Sequence, residues 1–145
     1  MKIKEIMNTD LKWVTPETDL VKTAEIMQKY DIGVVPVCNN DKHLLGIVTD
    51  RDIVVRNVAT GKSPESTYAK DVMSSVIKTG NPNMTLDEAC DIMAQWQVRR
   101  LPIVENDSLV GIVSLGDIAL DSEYDVEIAD CLCDICVCHK DIEQN

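Results

Sequence analysis

The sequence predicts an α/β (α+β) protein that consists of two copies of one strand-helix-strand-strand-helix unit, followed by a C-terminal helix. Three observations lead to this fold class: a repeat of about 66 residues, apolar residues at helical spacing, and short Val- and Ile-rich runs around polar turns. Hydrophobic residues make up 45% of the chain and charged residues 27%, which is typical of a folded globular protein. Because the chain has no Phe, Ile, Val, Leu and Met must form its core.

The repeat extends over most of the chain and defines its domain organisation. Matching positions include Ile6-Met7 with Val72-Met73, Pro16 with Pro82, Glu25-Ile26-Met27 with Asp91-Ile92-Met93, and Gly46-Ile47-Val48-Thr49 with Gly111-Ile112-Val113-Ser114. We therefore expect a first repeat over residues 1–60, a linker over 61–69, a second repeat over 70–120 and a C-terminal segment over 121–145. One repeat alone would bury little core, so the two should pack together.

The first helix of each repeat is predicted from apolar spacing. Apolar residues recur at helical intervals between Asp19 and Lys29, where Thr18 or Asp19 can cap the N-terminus. The matching helix of the second repeat runs near Thr85–Gln95. Two Val- and Ile-rich runs follow in the first repeat, at residues 34–38 and 44–49, and the polar turn between them predicts a β-hairpin.

Charge and hydropathy exclude several classes of partner. The net charge is −11, whereas binding of nucleic acid or anionic lipid depends on clustered cations. Apolar runs such as Ile32–Cys38 are far shorter than the roughly 20 residues of a membrane-spanning helix. The N-terminus lacks the apolar region of a secretory signal. We therefore expect a cytoplasmic protein that contacts neither nucleic acid nor membrane.

A motif that occurs twice carries a resemblance to a known family. The pattern G-I-V-[ST]-x-x-D-I spans Gly46–Ile53 and again Gly111–Ile118, each time after a Pro-containing hairpin. This doubled pattern resembles the CBS-domain family, and the likeness covers residues 3–120. The resemblance implies a Bateman module, in which the two repeats pack sheet to sheet around a pseudo-twofold axis. It also implies two clefts that hold adenosine ligands such as AMP or ATP.

The motif places a hydroxyl and a carboxylate at the start of a helix in each repeat. Thr49 follows a strand, where its hydroxyl can cap the helix or bind a phosphate oxygen, and Asp52 lies on the same side of the first turn. Ser114 and Asp117 repeat this spacing. In CBS modules the matching Asp accepts hydrogen bonds from the ribose hydroxyls. The alternative is that these residues form plain helix caps.

Cations distinguish the two predicted clefts. Arg51 could pair with a phosphate in the first repeat, where the second has Gly116. Arg99 and Arg100 could supply the missing charge, because CBS proteins often place ligand contacts on the approach to that strand. Arg56, four residues after Asp52, is expected to form a surface ion pair instead.

The first predicted strand of each repeat also differs. Thr79 stands at a position that often faces the ligand in CBS proteins, whereas the first repeat has Trp13 there. Trp13 could stack on adenine, fill the cleft or pack in the core. The complete predicted nucleotide-binding set is Trp13, Thr15, Val34, Pro36, Thr49, Arg51, Asp52, Thr79, Arg99, Arg100, Leu101, Pro102, Ser114 and Asp117. The asymmetry favours binding at a single cleft, with the second repeat better equipped.

The C-terminal segment is acidic and rich in cysteine. It holds eight of the chain's 25 acidic residues and a cluster formed by Cys131, Cys133, Cys136 and Cys138. If residues 126–139 form one helix, Cys131 and Cys138 lie on its apolar face as core thiols, and Cys133 and Cys136 share another face. A zinc site would then need His139, a partner chain or an unwound tail. An amphipathic helix that packs on the module or across a dimer is the preferred interpretation, and no metal ligands are assigned.

The sequence contains no recognisable catalytic site. It has no P-loop, no Cys-His pair at a known spacing, and only His43 and His139 as near-neutral bases. It thus predicts a non-enzymatic sensor that requires no cofactor, binds an adenosine nucleotide as regulatory ligand, and signals through homodimer geometry to an unidentified effector protein. AMP, ADP, ATP, NAD and S-adenosylmethionine are not distinguished. The alternative is a metal-binding or redox-responsive scaffold that acts through the tail cysteines with empty clefts.

Overall fold

The computed structural model describes residues 1–120, 128–132 and 134–135. The chain divides into two compact units. The first, here the N-terminal unit, comprises Lys12–Ile77 and Asp107–Leu109. The second, the C-terminal unit, comprises Met1–Leu11, Lys78–Asn106 and Val110–Asn145. Each unit contains helices and one small two-stranded sheet, so the predicted mixed α/β fold is confirmed.

From its first helix onward, the N-terminal unit contains the predicted helix, two strands and second helix in that order, followed by two short helices. Its helices and strands are α1 (Leu20–Tyr30), β1 (Val34–Cys38), β2 (Leu44–Thr49), α2 (Asp50–Arg56), a 3-10 helix (Val58–Thr60) and α3 (Ala69–Val72). The carboxylate of Asp19 accepts a hydrogen bond from the Lys22 amide at 2.9 Å. Asp19, one of the two predicted caps, is therefore the residue that caps the N-terminus of α1.

The hairpin forms at the predicted residues. β1 and β2 pair antiparallel, with Val34 opposite Thr49, and their bounds coincide with the two Val- and Ile-rich runs. Val35, Val37 and Val48 are fully buried. Because β2 ends at Thr49 and α2 begins at the next residue, the hairpin core fixes the position of the motif hydroxyl.

The C-terminal unit repeats this arrangement. It contains a 3-10 helix (Ile3–Glu5), α4 (Leu86–Trp96), β3 (Arg100–Glu105), β4 (Ser108–Ser114) and α5 (Leu115–Ala119). Thr85 caps α4, since its hydroxyl accepts from the Glu88 amide at 3.2 Å and the Glu88 carboxylate accepts from the Thr85 amide at 2.7 Å. The core of this unit is formed by buried side chains that include Ile3, Met93, Leu101, Ile103 and Ile118.

The N-terminal residues belong to the unit that contains most of the second repeat. The Ile3 amide donates to the Met84 carbonyl at 3.0 Å, and Asn8 and Ile112 exchange two backbone hydrogen bonds of 2.8 and 3.0 Å. In the N-terminal unit, Ile47 and Ser74 exchange the equivalent pair at 3.0 and 2.9 Å. Each hairpin is thus extended by the N-terminal residues of the other repeat.

The first predicted strand of each repeat is much shorter than expected. In the N-terminal unit it is a single parallel bridge between Val14 and Val37, and in the C-terminal unit a bridge between Gly80 and Ile103. Pro16 and Pro82 follow two residues later. Proline has no amide hydrogen to donate to a neighbouring strand, so pairing stops at these positions.

The predicted linker is packed into the N-terminal unit. Thr67 and Asn57 are buried, and the Asn57 side-chain amide donates to the Thr67 hydroxyl at 3.1 Å. Thr67 in turn donates to the Ser63 carbonyl at 2.8 Å, and the Leu20 amide donates to the Thr67 carbonyl at 2.9 Å. The segment is therefore held against the start of α1. Within the described residues, no helix combines the length and apolar character that membrane crossing demands.

Candidate functional site

The motif hydroxyls and carboxylates form helix caps in both units. The Asp52 amide donates to the Thr49 hydroxyl at 3.1 Å, and the Thr49 amide donates to the Asp52 carboxylate at 2.9 Å. In the C-terminal unit the corresponding distances between Ser114 and Asp117 are 3.0 and 2.7 Å. The capping alternative for these residues is therefore realised, and their ligand contacts stay a prediction.

The two carboxylates differ in their ionic neighbours. Oδ1 of Asp52 lies 3.8 Å from the Arg56 guanidinium, which confirms the predicted ion pair. The Ser114 hydroxyl and amide both donate to Oδ2 of Asp117, each at 2.7 Å. Among the described residues, no group hydrogen-bonds to Oδ1 of Asp117. Asp117 therefore keeps one acceptor oxygen that the cap does not use.

A cleft in the C-terminal unit brings together three of the predicted binding residues. Its volume is about 420 Å³, and it is lined by Arg99, Arg100, Ser114, Leu115, Gly116, Ala119, Ile128 and Leu132. The predicted residues Thr79, Leu101, Pro102 and Asp117 are not part of this lining. Leu101 and Pro102 instead face the buried interior of the unit, because both side chains are buried.

The start of β3 positions the two arginines beside the start of α5. The Leu115 amide donates to the Arg99 carbonyl at 2.9 Å, and both arginine side chains are exposed. No described carboxylate lies within ion-pair distance of either guanidinium. The cleft therefore combines two cations, one hydroxyl and an apolar lining. Such a surface suits an anionic ligand that also has an apolar part.

The corresponding position in the N-terminal unit lacks this charge. The Asp50 amide donates to the Gly33 carbonyl at 3.0 Å, which matches the contact between Leu115 and Arg99. Gly33 and Val34, however, replace the two arginines, and Arg51 is exposed on α2. The structure therefore has the charge asymmetry that the sequence indicates.

The other predicted residues of the first repeat have local roles. The Thr15 hydroxyl lies 3.1 Å from the Thr18 hydroxyl, Pro36 is buried and Trp13 is half-buried. A cavity of about 560 Å³ in this unit lies between α1 and α2, and its lining contains none of the predicted binding residues. Its lining residues are Leu20, Val21, Ala24, Glu25, Gln28, Ile53, Asn57, Val58 and Pro64.

Four apolar residues of the cleft were not among the predicted binding residues: Leu115, Ala119, Ile128 and Leu132. Ile128 and Leu132 come from the C-terminal segment, where residues 128–132 and 134–135 are helical. In the sequence, the one indication that these two side chains pack against the unit is their spacing of four residues on a predicted amphipathic helix.

The described cysteines are buried thiols. Cys38 and Cys90 have their pKa values raised to about 11 and about 12, mainly because burial disfavours the thiolate. Cys131 is 4% exposed, which confirms it as a core thiol, and its Sγ donates to the Cys90 carbonyl at 3.4 Å. Within the described ranges, no three metal-ligating side chains converge on a common point. The predictions for Cys133, Cys136, Cys138 and His139 lie outside the described residues.

Known relatives share the sequence of this chain over most of its length. The CBS domain-containing protein YhcV of Bacillus subtilis is 42% identical over 118 residues, which cover 81% of this chain and 83% of the relative. Hypoxic response protein 1 of Mycobacterium tuberculosis is 36% identical over 116 residues, or 80% of this chain and 81% of the relative.

Solved structures support the same relationship. A crystal structure of Hypoxic Response Protein I with two coordinated zinc ions has 35% identity and a TM-score of 0.78, and the match covers 83% of this chain and 98% of that one. The CBS domain pair of the protein MJ0100, in complex with 5′-methylthioadenosine and S-adenosylmethionine, shares the fold at 22% identity and a TM-score of 0.73, over 83% of this chain and 94% of that one. The CBS domain profile matches residues 3–57 and 69–121. The chain therefore belongs to the CBS-domain family, with two tandem copies of the domain.

Proposed function

We propose that this CBS domain pair is a regulatory module that binds one adenosine nucleotide of the AMP, ADP or ATP type in the cleft of the C-terminal unit. The main observation behind the proposal is that Arg99, Arg100 and Ser114 line the same cleft, whose volume is about 420 Å³. This volume lies within the range of about 300–1,000 Å³ that is usual for small-molecule sites.

The chemistry of these side chains fits a phosphorylated ligand. A guanidinium presents parallel N–H donors that match two phosphate oxygens, and two guanidinium groups line this cleft. Arg99 and Arg100 are close to the start of α5, where Asp117 retains Oδ1 as an acceptor. A ribose hydroxyl could donate to this oxygen without disrupting the cap.

Regulation requires that the ligand distinguish two states of the protein. We infer that the module forms a homodimer and that the nucleotide binds one dimer arrangement more tightly than the other, since only differential binding shifts such an equilibrium. The preferred arrangement would change the affinity for an effector protein. The module itself would perform no catalysis and require no cofactor.

Isothermal titration calorimetry with AMP, ADP, ATP, NAD and S-adenosylmethionine tests the binding site. S-adenosylmethionine is included because the MJ0100 domain pair holds it. We expect one nucleotide per chain, and a loss of binding by at least about tenfold in Arg99→Ala/Arg100→Ala. Arg51→Ala is the matched control, because it removes an exposed arginine outside the cleft and should leave the Kd unchanged. If none of the five ligands binds, the proposal is wrong.

A zinc-dependent function is the competing proposal. Hypoxic Response Protein I, at 35% identity, has a structure with two coordinated zinc ions, and this chain has a cysteine-rich tail. Elemental analysis of the purified protein distinguishes the two functions. Stoichiometric zinc that is lost in Cys133→Ser/Cys136→Ser, together with no response to nucleotides, would replace the nucleotide proposal with a metal-binding one.

A further inference from the structure

The C-terminal helical residues, 128–132 and 134–135, are anchored to the C-terminal unit by one of their faces. We refer to them as the tail segment. Cys131 and Ile135 are each only 4% exposed and belong to the core cluster that contains Cys90 and Met93. Cys131 also donates a hydrogen bond to the Cys90 carbonyl at 3.4 Å. Because residues four apart share a helix face, Cys131 and Ile135 together fix the orientation of the segment.

An adjacent face of the same segment forms a wall of the cleft. Ile128 and Leu132 are also four residues apart, and both line the cleft with Arg99, Arg100 and Ser114. Leu132 is 43% exposed although it is a large apolar side chain. Part of its exposed surface therefore lies at the cleft, where a ligand could cover it.

The two sides of the cleft have different chemistry. Arg99 and Arg100 lie at the start of β3, and Ile128 and Leu132 come from the tail segment. The described acidic residues of the segment, Asp130 and Asp134, are exposed and are not part of the lining. An amphiphilic anion matches this arrangement, with its phosphates at the guanidinium groups and its flat apolar part against the aliphatic side chains.

The docked segment leaves enough room for such a ligand. The volume of about 420 Å³ is that of the cleft with Ile128 and Leu132 in place. The segment therefore shapes the site and does not block it. A ligand that contacts the segment must favour its docked position, and by thermodynamic linkage the docked segment must favour ligand binding to the same extent.

We propose that the tail segment completes the ligand site, with Ile128 and Leu132 contacting the adenine ring, so that nucleotide binding and docking of the segment stabilise each other. This inference rests on the proposed function. It extends the site beyond the two CBS repeats, to residues that the repeat pattern does not include. It also implies that the stability of the tail segment depends on whether the ligand is bound.

Calorimetric titration with ATP and AMP of wild-type protein and Leu132→Ala tests the inference. The substitution removes apolar contact at the ligand, and we expect a Kd about three- to tenfold weaker. Leu120→Ala is the matched control, because Leu120 is 88% exposed and does not line the cleft, and its Kd should equal that of the wild type. Thermal unfolding of both unliganded variants establishes that each is folded.

Hydrogen exchange supplies the reciprocal measurement. Saturating ATP should slow amide exchange in residues 128–135 of the wild type, and this protection should be smaller in Leu132→Ala. If the wild type binds nucleotide and Leu132→Ala binds it equally well, the tail segment is not part of the site and this inference is wrong. If the wild type binds neither ATP nor AMP, the proposed function itself fails for these ligands, and this inference fails with it.

Discussion

Met73 packs directly against Gly46, so closely that a methyl group at Gly46 would lie 2.5 Å from the Met73 sulfur. The same methyl group would lie 3.0 Å from the Ser74 carbonyl oxygen. In the C-terminal unit, Met7 packs in the same way against Gly111, where a methyl group would again lie 2.5 Å from the methionine sulfur. The glycine of each G-I-V motif is thus required for packing against the segment that extends its hairpin.

Gly46→Ala should destabilise the protein by about 1–3 kcal/mol, the usual cost of overpacking a core. Gly111→Ala should cost less, because there the three nearest atoms all belong to the flexible Met7 side chain, whereas Gly46 also meets backbone. Urea unfolding measures both. Gly116→Ala is the control, since its nearest neighbour would be 3.5 Å away and alanine is the better helix former. Equal unfolding midpoints for Gly46→Ala and the wild type would contradict the packing role.

Arg56 should contribute to stability although half of its side chain is exposed. Its Nη1 donates to the Val72 carbonyl at 3.0 Å and lies 3.4 Å from the Met73 carbonyl, so it joins the end of α2 to the end of α3. Arg56→Ala should cost about 1 kcal/mol, and Arg51→Ala less than about 0.5 kcal/mol. Thermal unfolding of the two variants tests this difference, which would disappear if the Arg56 contacts were not formed in solution.

Much of the fold follows from local sequence signals. The bounds of β1 and β2 match the predicted runs, because Val- and Ile-rich segments around a polar turn favour a hairpin whatever surrounds it. The starts of α1 and α4 also follow from their caps, Asp19 and Thr85. These features depend on residues that are close in the sequence.

Features that depend on distant residues were not predicted. The pairing of Asn8 with Ile112 joins segments about a hundred residues apart, and no local pattern specifies it. The cleft was predicted in part, since Arg99, Arg100 and Ser114 lie in it and Thr79 does not. Only tertiary packing determines that the Leu132 side chain lines the cleft.

Asp117→Ala should distinguish a helix-capping role of the motif carboxylate from a ligand-binding role. Without ligand, Asp117→Ala and Asp52→Ala should each cost about 0.5–2 kcal/mol, because each removes a helix-capping contact. With nucleotide present, only Asp117→Ala should also weaken binding, since Asp117 belongs to the unit whose cleft contains the two arginines, whereas Asp52 is paired with Arg56 in the other unit. Calorimetry and urea unfolding of both variants provide the two readouts. An unchanged Kd in Asp117→Ala would show that this carboxylate only caps α5.

Cys38 should make stability depend on pH in the alkaline range. Burial raises the pKa of this thiol from 9.0 to about 11, so the folded state holds the proton more tightly than the unfolded state does. The resulting stabilisation is fully present below pH 9 and is lost as the pH rises through about 11.

Urea unfolding of the wild type and Cys38→Ala between pH 8 and pH 11 measures this contribution. The advantage of the wild type over Cys38→Ala should shrink on the order of 2 kcal/mol as the pH rises. Titration of lysines affects both proteins alike and cancels in the comparison. Because Cys38 is fully buried, alkylation at pH 8 should also be much slower in the native protein than in urea. A difference in unfolding free energy that stays constant with pH would mean that the buried thiol keeps an ordinary pKa.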